Sequence, residues 1–300
     1  MAVELKDLEI FQMVAQKGTI TEAAKELNYV QSNITARIQK LETELNTPLF
    51  NRLRRGMVLT PEGKMLLDYS EKILSLANEM KKVMQSKSEP SGKLEIGSVE
   101  TVIKLPVILS AYSKKYKNVD LTLQTGVTEQ LQEDVLNYRL DGAFISETKQ
   151  HPELVYHDVF QEELVLISDQ SVNSLEEAIQ EPFLCFSEGC GYRARLTSWY
   201  HDQNLVMPKV MEFGTLETII GSVTMGLGVT FVPKSAVLSL AERGLVRIHE
   251  LPKKYSHIKT VFIRRKDVHL TSTLEKFIET IERCKDDSDY PLVFREGMPS

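Results

Sequence analysis

The sequence predicts two folding units of different class, a mainly α-helical N-terminal part and an α/β part behind it. Three observations carry this. Helical periodicity runs through the first 85 residues, broken only by a short Gly-containing segment near residues 52–59. The polar stretch Ser86-Lys-Ser-Glu-Pro-Ser-Gly92 then marks the clearest break in composition and reads as a hinge. Beyond it, strand and helix patterns alternate as in βαβ units, over a length that one core does not comfortably hold.

Hydrophobic residues make up 42% and charged residues 26% of the 300, ordinary values for a globular protein that speak against wholesale disorder. No run approaches the roughly 18 consecutive apolar residues of a membrane helix. The start, Met1-Ala-Val-Glu-Leu-Lys-Asp, has neither the basic head nor the apolar stretch of a secretory signal, so a cytoplasmic protein without a membrane partner is expected. The three cysteines, Cys185, Cys190 and Cys284, cannot all pair and show no CxxC spacing, and the six histidines are scattered. Neither a disulfide framework nor a metal site is expected. The net charge of −6 hides an uneven split: residues 1–90 hold 13 Lys and Arg against 12 Asp and Glu, the remainder 23 against 30. The acidic excess therefore belongs to the second part, and the head remains compatible with a nucleic-acid partner if its basic residues gather on one face.

In the first helix Leu8, Phe11, Val14 and Ala15 share one face, and Gly18 ends it. Thr19-Ile-Thr-Glu22 fits a capping box, with Thr19 bonding the amide of Glu22 and Glu22 reaching back. Ala23, Ala24 and Leu27 follow at the spacing of a short second helix. After a turn at Asn28-Tyr29, Ile34, Ile38, Leu41 and Leu45 form the buried stripe of a third. Ser32, Ala36 and Gln39 fall on its opposite face, flanked by Thr35, Arg37 and Lys40. Such a small polar face either enters a major groove, where hydroxyls and amides meet base edges and flanking cations meet phosphates, or is an ordinary solvated face. From Glu62 onward Leu66, Tyr69, Ile73, Leu76, Met80 and Val83 alternate in steps of three and four, an a/d heptad seam. The stripe fits packing on its own domain as well as pairing with a twin.

The second part reads as strand 94–99, helix 103–116, strand 119–125, helix 129–139 and strand 142–146. After a run at 163–168 come a helix near 174–180, strand 183–186, helix 192–204, strand 209–213, helix 216–225 and strand 228–232. This repetition predicts mostly parallel sheets covered by helices on both faces, with ligands at the carboxyl ends of the strands. Residues 98–101, 125–128 and 189–193, and Thr215, lie where a strand gives way to a helix. Ser98, Thr101, Thr125, Thr128 and Thr215 are therefore candidate ligand contacts, a plain helix cap being the alternative for each hydroxyl. Arg193 is a candidate clamp for a carboxylate, because Gly189 and Gly191 allow close backbone approach. Glu100 and Glu217 sit in the same rims and would repel an anion or hold a cation, which leaves the ligand's charge open. Cys190 permits a thiol-redox reading against the plainer one of a packed small residue. Trp199, with Leu196, fits core packing.

Taken in order, Leu8-Glu-Ile-Phe11, Thr21-Glu-Ala-Ala-Lys-Glu-Leu27, Gln31-Ser-Asn-Ile-Thr35, Ile38-Gln-Lys-Leu-Glu42-Thr-Glu-Leu45, Pro48-Leu-Phe50-Asn-Arg52 and Leu59-Thr-Pro-Glu-Gly63 closely resemble the N-terminal domain of LysR-type transcriptional regulators. The match runs without a gap from residue 3 to about residue 65. It implies a winged helix-turn-helix over 3–60, with the helix-turn-helix at 20–39 and the wing at 52–59, a linker and dimerisation helix at 61–85, a hinge at 86–92 and an effector-binding domain at 93–300. Gln31, Ser32, Asn33, Thr35, Arg37 and Lys40, with Arg52, Arg54 and Arg55 of the wing, become candidate contacts to double-stranded promoter DNA. The three wing arginines otherwise read as a solvated charged turn. Val30 departs from the family pattern, which has Ser or Thr capping the recognition helix there, so Ser32 or Asn28 would have to compensate. The seam would pair two chains into a homodimer, and dimers into a homotetramer, so that two heads read a two-fold site about 34–36 Å or a multiple apart.

A weaker likeness over Leu94-Glu-Ile-Gly97, Asp141-Gly-Ala-Phe, Glu162-Glu-Leu-Val-Leu, Phe213-Gly-Thr-Leu-Glu217 and Gly226-Leu-Gly-Val-Thr-Phe-Val-Pro233 extends the resemblance to the family's effector domain. That implies an α/β, two-lobed, periplasmic-binding-protein-like (type 2) fold: lobe I from 93–160 and 266–300, lobe II from 161–265. The chain would cross near 161 and again near 259–265. A small-molecule effector, with a carboxylate as the favoured class, would bind between the lobes, and RNA polymerase is an implied partner if the output is activation. No cofactor and no catalysis are expected, since an enzyme would need an acid, base or nucleophile motif and GxSxG is absent. A free-standing solute-binding protein would need an export signal and no DNA-binding head. The remaining alternative is the same regulator answering to thiol redox state through Cys190, or to no ligand.

Overall fold

A computed structural model describes residues 3–53, 56–85 and 89–285. Arg54 and Arg55 of the wing, the first three hinge residues and residues 286–300 lie outside the described residues. The chain divides into two compact units, the first ending at Gln85 but also including Asn137–Arg139, the second holding the rest.

The first unit runs α1 (Leu5–Lys17), α2 (Ile20–Glu26), α3 (Gln31–Leu45), the hairpin β1 (Phe50–Leu53) and β2 (Gly56–Leu59), and the long α4 (Pro61–Gln85). Its elements begin and end where local chemistry directs. Gly18 closes α1 in the left-handed conformation at φ 69°. The amide of Glu22 donates to Thr19 Oγ1 at 3.2 Å, capping α2. Ile10, Phe11 and Val14 of α1, Ala23 and Ala24 of α2, and Ile34, Ile38 and Leu41 of α3 bury their side chains in one core with Leu49 and Phe50. The hairpin is held back on the helices by Met57, whose amide donates to Gly18 O at 2.7 Å. Gly56 has φ 142°, and a Cβ there would stand 2.5 Å from Gly18 O, so only glycine fits this close approach.

The second unit runs β3 (Gly92–Ser98), α5 (Leu105–Lys115), β4 (Val119–Thr125), α6 (Thr128–Leu136), β5 (Gly142–Ser146), β6 (Leu154–Ser168), α7 (Leu175–Ala178), β7 (Phe183–Cys185), α8 (Gly191–Asp202), β8 (Val210–Glu212), α9 (Leu216–Thr224), β9 (Thr230–Pro233), α10 (Lys234–Glu242), β10 (Arg247–Glu250), β11 (His257–Arg265) and α11 (Ser272–Cys284). Its architecture follows from β6 and β11. The N-terminal half of β6 pairs with β11 in a first lobe that also holds β5, β3 and β4. The C-terminal half of β6 pairs with β9 and β10 in a second lobe, beside which β7 and β8 pair with each other. Both lobes have the buried, two-faced sheets that a continuous apolar run implies. In β6, Leu164 and Leu166 pack towards Trp199 and Phe231, while Val165 and Ile167 pack towards Ile219, Val223 and Val237. Trp199 is a core residue, 3% exposed.

Three expectations need correction. The main sheet is mixed: β3 pairs in parallel with β4 and β5, but β5–β11, β6–β11, β6–β9 and β6–β10 are antiparallel. Alternating strands and helices report local crossovers, and two strands that pass between lobes override them. The run read at 163–168 is the second half of a 15-residue strand, whose first half carries too many polar residues to look buried. The stretch after Pro233 holds α10 and β10, neither of them read from the pattern.

Candidate functional site

Helix α3 presents Gln31, Ser32, Asn33, Ala36 and Gln39 as exposed residues opposite its buried stripe. Val30 stands at its N-cap, and no side chain caps the helix, so neither Ser32 nor Asn28 supplies that cap. Asn28 instead makes the turn before it, at φ 56°. The amide of Asn33 donates to Val30 O at 3.0 Å, while those of Gln31 and Ser32 are left without a side-chain cap beside three polar side chains, an arrangement that receives anions. Thr35 is half-buried and donates its hydroxyl to Gln31 O at 2.9 Å. Arg52 is exposed on β1, paired opposite Met57.

Arg37 and Lys40 turn out differently. Arg37 donates to the buried Asp7 at 2.6 Å and to Glu4 at 3.1 Å, and Lys40 reaches Glu4 at 2.8 Å and Asp7 at 3.4 Å. Hydrogen bonds from Lys40 and Arg37 hold the Glu4 carboxyl below the usual carboxylate range. These cations fix α3 against the start of α1, and neither can reach DNA without leaving a carboxylate behind. In these pairings they position α3. Sequence reading missed it because the acidic partners lie 30 and more residues earlier, on another helix.

On α4 the exposed apolar stripe is Met65, Tyr69, Ile73, Leu76, Met80 and Met84. Tyr69, Ile73, Leu76 and Met80 coincide with the heptad seam, whereas Leu66 packs into the core of the head and Val83 is half-buried. A helix turns 3.6 residues per cycle, so a strict 3.5 register drifts off a straight face at both ends.

The cleft between the lobes of the second unit holds a cavity of about 390 Å³. Val99, Glu100, Thr101, Thr125, Gly126, Val127, Thr128, Gln130 and Ser146 line it from the first lobe; Phe186, Ser187, Cys190, Gly191, Phe213 and Gly214 line it from the second. A wider, more open cleft continues outward past Thr128 and Gly191 towards Glu147, Lys149, Arg193, Arg195 and Lys254. Of the seven expected contacts, Glu100, Thr101, Thr125 and Thr128 meet in the inner cavity. Ser98 is buried behind it and donates to Val99 O. Thr215 is exposed and caps α9 by accepting from the amide of Thr218 at 3.2 Å, so the plain-cap reading holds there. Arg193 stands in the outer cleft and is taken by Glu212 at 2.6 Å and Glu188 at 3.5 Å, so its guanidinium is not an open carboxylate clamp. Ser146, Ser187, Gln130, Phe186 and Phe213 were missed. Ser146 ends β5, and Phe186 and Ser187 follow β7, so the strand-end rule points at them; the hydroxyl-plus-helix pattern did not.

Two features join the lobes across this cavity. Glu100, from the first lobe, accepts a hydrogen bond at 3.1 Å from the Leu216 amide that opens α9 in the second. Gly191, at the start of α8, lies so close to the first lobe that a Cβ would stand 2.7 Å from Ser146 Cβ. Cys190 lines the cavity, but burial pushes its thiol above the usual range, and Cys185 is pushed up to about 11 by the same cause. Both are thiols rather than thiolates at neutral pH, the less reactive form. Among the described residues no three His, Cys, Asp or Glu side chains gather as a metal site, and no described helix is long and apolar enough to cross a membrane.

A helix-turn-helix head joined to a two-lobed module with a cleft between the lobes defines a transcription regulator with a ligand-binding domain. The comparisons agree. The family described as bacterial regulatory helix-turn-helix protein, lysR family, matches residues 5–64, and the LysR substrate binding domain matches residues 87–285. The chain is similar to the HTH-type transcriptional regulator SoxR of Arthrobacter sp. (strain TE1826), 56% identical over 95% of this chain and 98% of that one. It is similar also to the HTH-type transcriptional regulator CzcR of Bacillus subtilis (strain 168), 50% identical over 95% and 99%. Among solved structures, full-length CbnR complexed with target DNA shares the fold at a TM-score of 0.68, with 21% identity over 94% of this chain and 99% of that one. This chain belongs to the LysR family of bacterial helix-turn-helix transcription regulators.

Proposed function

We propose that Gln31, Ser32 and Asn33, at the uncapped start of α3, read base edges of a promoter site while Thr35, the helix amides and the wing arginines Arg52, Arg54 and Arg55 meet its phosphates. The observation that carries this is the N-terminal turn of α3, where three exposed polar side chains stand at a helix start without a side-chain cap and no acidic residue stands in the first turn. The fold is that of CbnR, whose structure holds its target DNA. The α4 stripe pairs two chains into a homodimer, dimers pair into a tetramer, and RNA polymerase is the further partner where the output is activation. The protein works in the cytoplasm and carries no catalytic activity. The inner cleft, with Glu100, Thr101, Thr125 and Thr128, receives a small-molecule effector whose binding changes how the lobes meet.

The test is operator affinity at fixed salt. Ser32→Ala and Asn33→Ala should each weaken specific binding by about 1–3 kcal/mol with unchanged melting of the protein. Parent-like affinity in both would remove this turn from the reading face.

A further inference from the structure

We propose that the cleft recognises a compact zwitterion of amino-acid type, its ammonium on Glu100 and its carboxylate where α6 and α8 begin. This rests on the reading of the cleft as the sensor site and names the chemical class that site takes.

Among the described residues, Glu100 is the only formally charged side chain in the lining of the inner cavity. One of its oxygens accepts the Leu216 amide, so the carboxylate already sits at the positive end of α9 and makes that end unfavourable for a ligand anion. Its other oxygen has no hydrogen-bond partner among the described residues, and Glu100 lines a cavity that also holds hydroxyls and aromatic rings. A cationic donor is its natural complement.

The cavity has a second end of opposite character. Helix α6 and the twelve-residue α8 both start there, and α8 has no side-chain cap. Thr128, first residue of α6, is 2% exposed, and its Oγ1 is buried with no hydrogen-bond partner among the described residues. A buried hydroxyl left unsatisfied is costly, and this one lines the cavity. A Cβ built on Gly191 would lie 3.1 Å from Ser146 Oγ and 3.8 Å from Thr128 Oγ1, so two hydroxyls and the start of α8 converge on one small region. The nearby cations Lys149, Arg193, Arg195 and Lys254 line the outer cleft and not the inner cavity, and Arg193 is paired there with Glu212 and Glu188. The inner cavity thus pairs one full negative charge with one cluster of amides and hydroxyls, which complements a molecule carrying both an ammonium and a carboxylate. Each end draws on both lobes, Glu100 with α9 and α6 with α8, so such a ligand gains its full contacts only when the lobes are correctly set.

The experiment measures binding to the full chain by thermal shift and calorimetry, using the twenty proteinogenic amino acids as probes. For each amino acid that binds, the matching acid without its amino group and the matching amine without its carboxylate follow. The expected result is an amino acid that binds about tenfold or more tightly than either fragment. Glu100→Gln, which keeps the acceptor for Leu216, should remove that advantage over the des-amino acid; Thr128→Val should weaken the amino acid and the des-amino acid but not the amine. A des-amino acid that binds as tightly as its amino acid, an unchanged affinity in Glu100→Gln, or no binding by any amino acid would overturn the proposal. A parallel panel of carboxylic acids and polyols separates this from the sensor reading itself. Hits there that are lost in Gly191→Ala would leave the sensor cleft standing without the zwitterion, and no hit in either panel would overturn both.

Discussion

Arg37 shows how a single side chain changes meaning between sequence and structure. Its flank position on α3 suits a phosphate contact, yet its guanidinium is committed to the buried Asp7 and to Glu4. Arg37→Ala should therefore destabilise the head by about 1–3 kcal/mol, the cost of depriving a buried carboxylate of a charged hydrogen bond. Lys40, still within 3.4 Å, keeps the loss from being larger. DNA binding should fall because the recognition helix is loosened, so weaker binding and earlier melting should appear together. Unchanged melting with lost binding would return Arg37 to the DNA. The same cluster makes a pH statement. The Glu4 carboxyl is lowered from its ordinary 4.5 by Lys40 and Arg37, so its contribution is fully present above 4.5 and drains away as pH falls through the lowered folded value. Acid titration of the melting temperature should show that decline, and Glu4→Gln should flatten it. An identical pH profile in the variant would show that Glu4 anchors nothing.

At the scale of elements, the proposed homodimer rests on the α4 stripe. Tyr69, Ile73, Leu76 and Met80 remain 44–60% exposed along one helix face, an apolar strip with the heptad spacing that a partner helix would cover in the proposed dimer. Ile73→Lys places a charge in that contact and should shift the chain towards monomer in sedimentation, with a steep loss of affinity for a two-half-site operator. A variant that sediments like the parent would move the dimer interface elsewhere. Elements with strong local signals were legible in the sequence. Gly18 and the Thr19 cap mark the ends of α1 and α2, the Ile34–Ile38–Leu41 stripe marks α3, and β4 and β5 fall at their expected residues. What stayed hidden was set by distant partners. The polar first half of β6 is a strand because β11 pairs with it a hundred residues later. Leu66 leaves the seam because the core of the head claims it. In the cleft, Thr101, Thr125 and Thr128 could be read from strand-to-helix junctions, but which of Arg193, Thr215 and Glu100 faces the cavity depends on Glu212, Thr218 and Leu216, and no spacing rule reports those pairings.

For the whole molecule, the family likeness in the head and the domain match behind it make a DNA-reading part and a ligand-reading part of one regulator. The head is nearly neutral while the remainder is acidic, so affinity for DNA depends on where the few free cations and helix amides lie rather than on total charge. That places the weight on the start of α3, on the wing and on pairing of two heads by α4. The most direct measurement is selection of genomic fragments by the purified full chain, followed by footprinting of the enriched DNA at near-physiological salt. The account predicts one enriched motif with two-fold symmetry, protected as two half-sites about 34–36 Å or a multiple apart, with protection lost in Ser32→Ala and in Ile73→Lys. Enrichment of no motif, or a single unpaired site protected equally by parent and both variants, would contradict it.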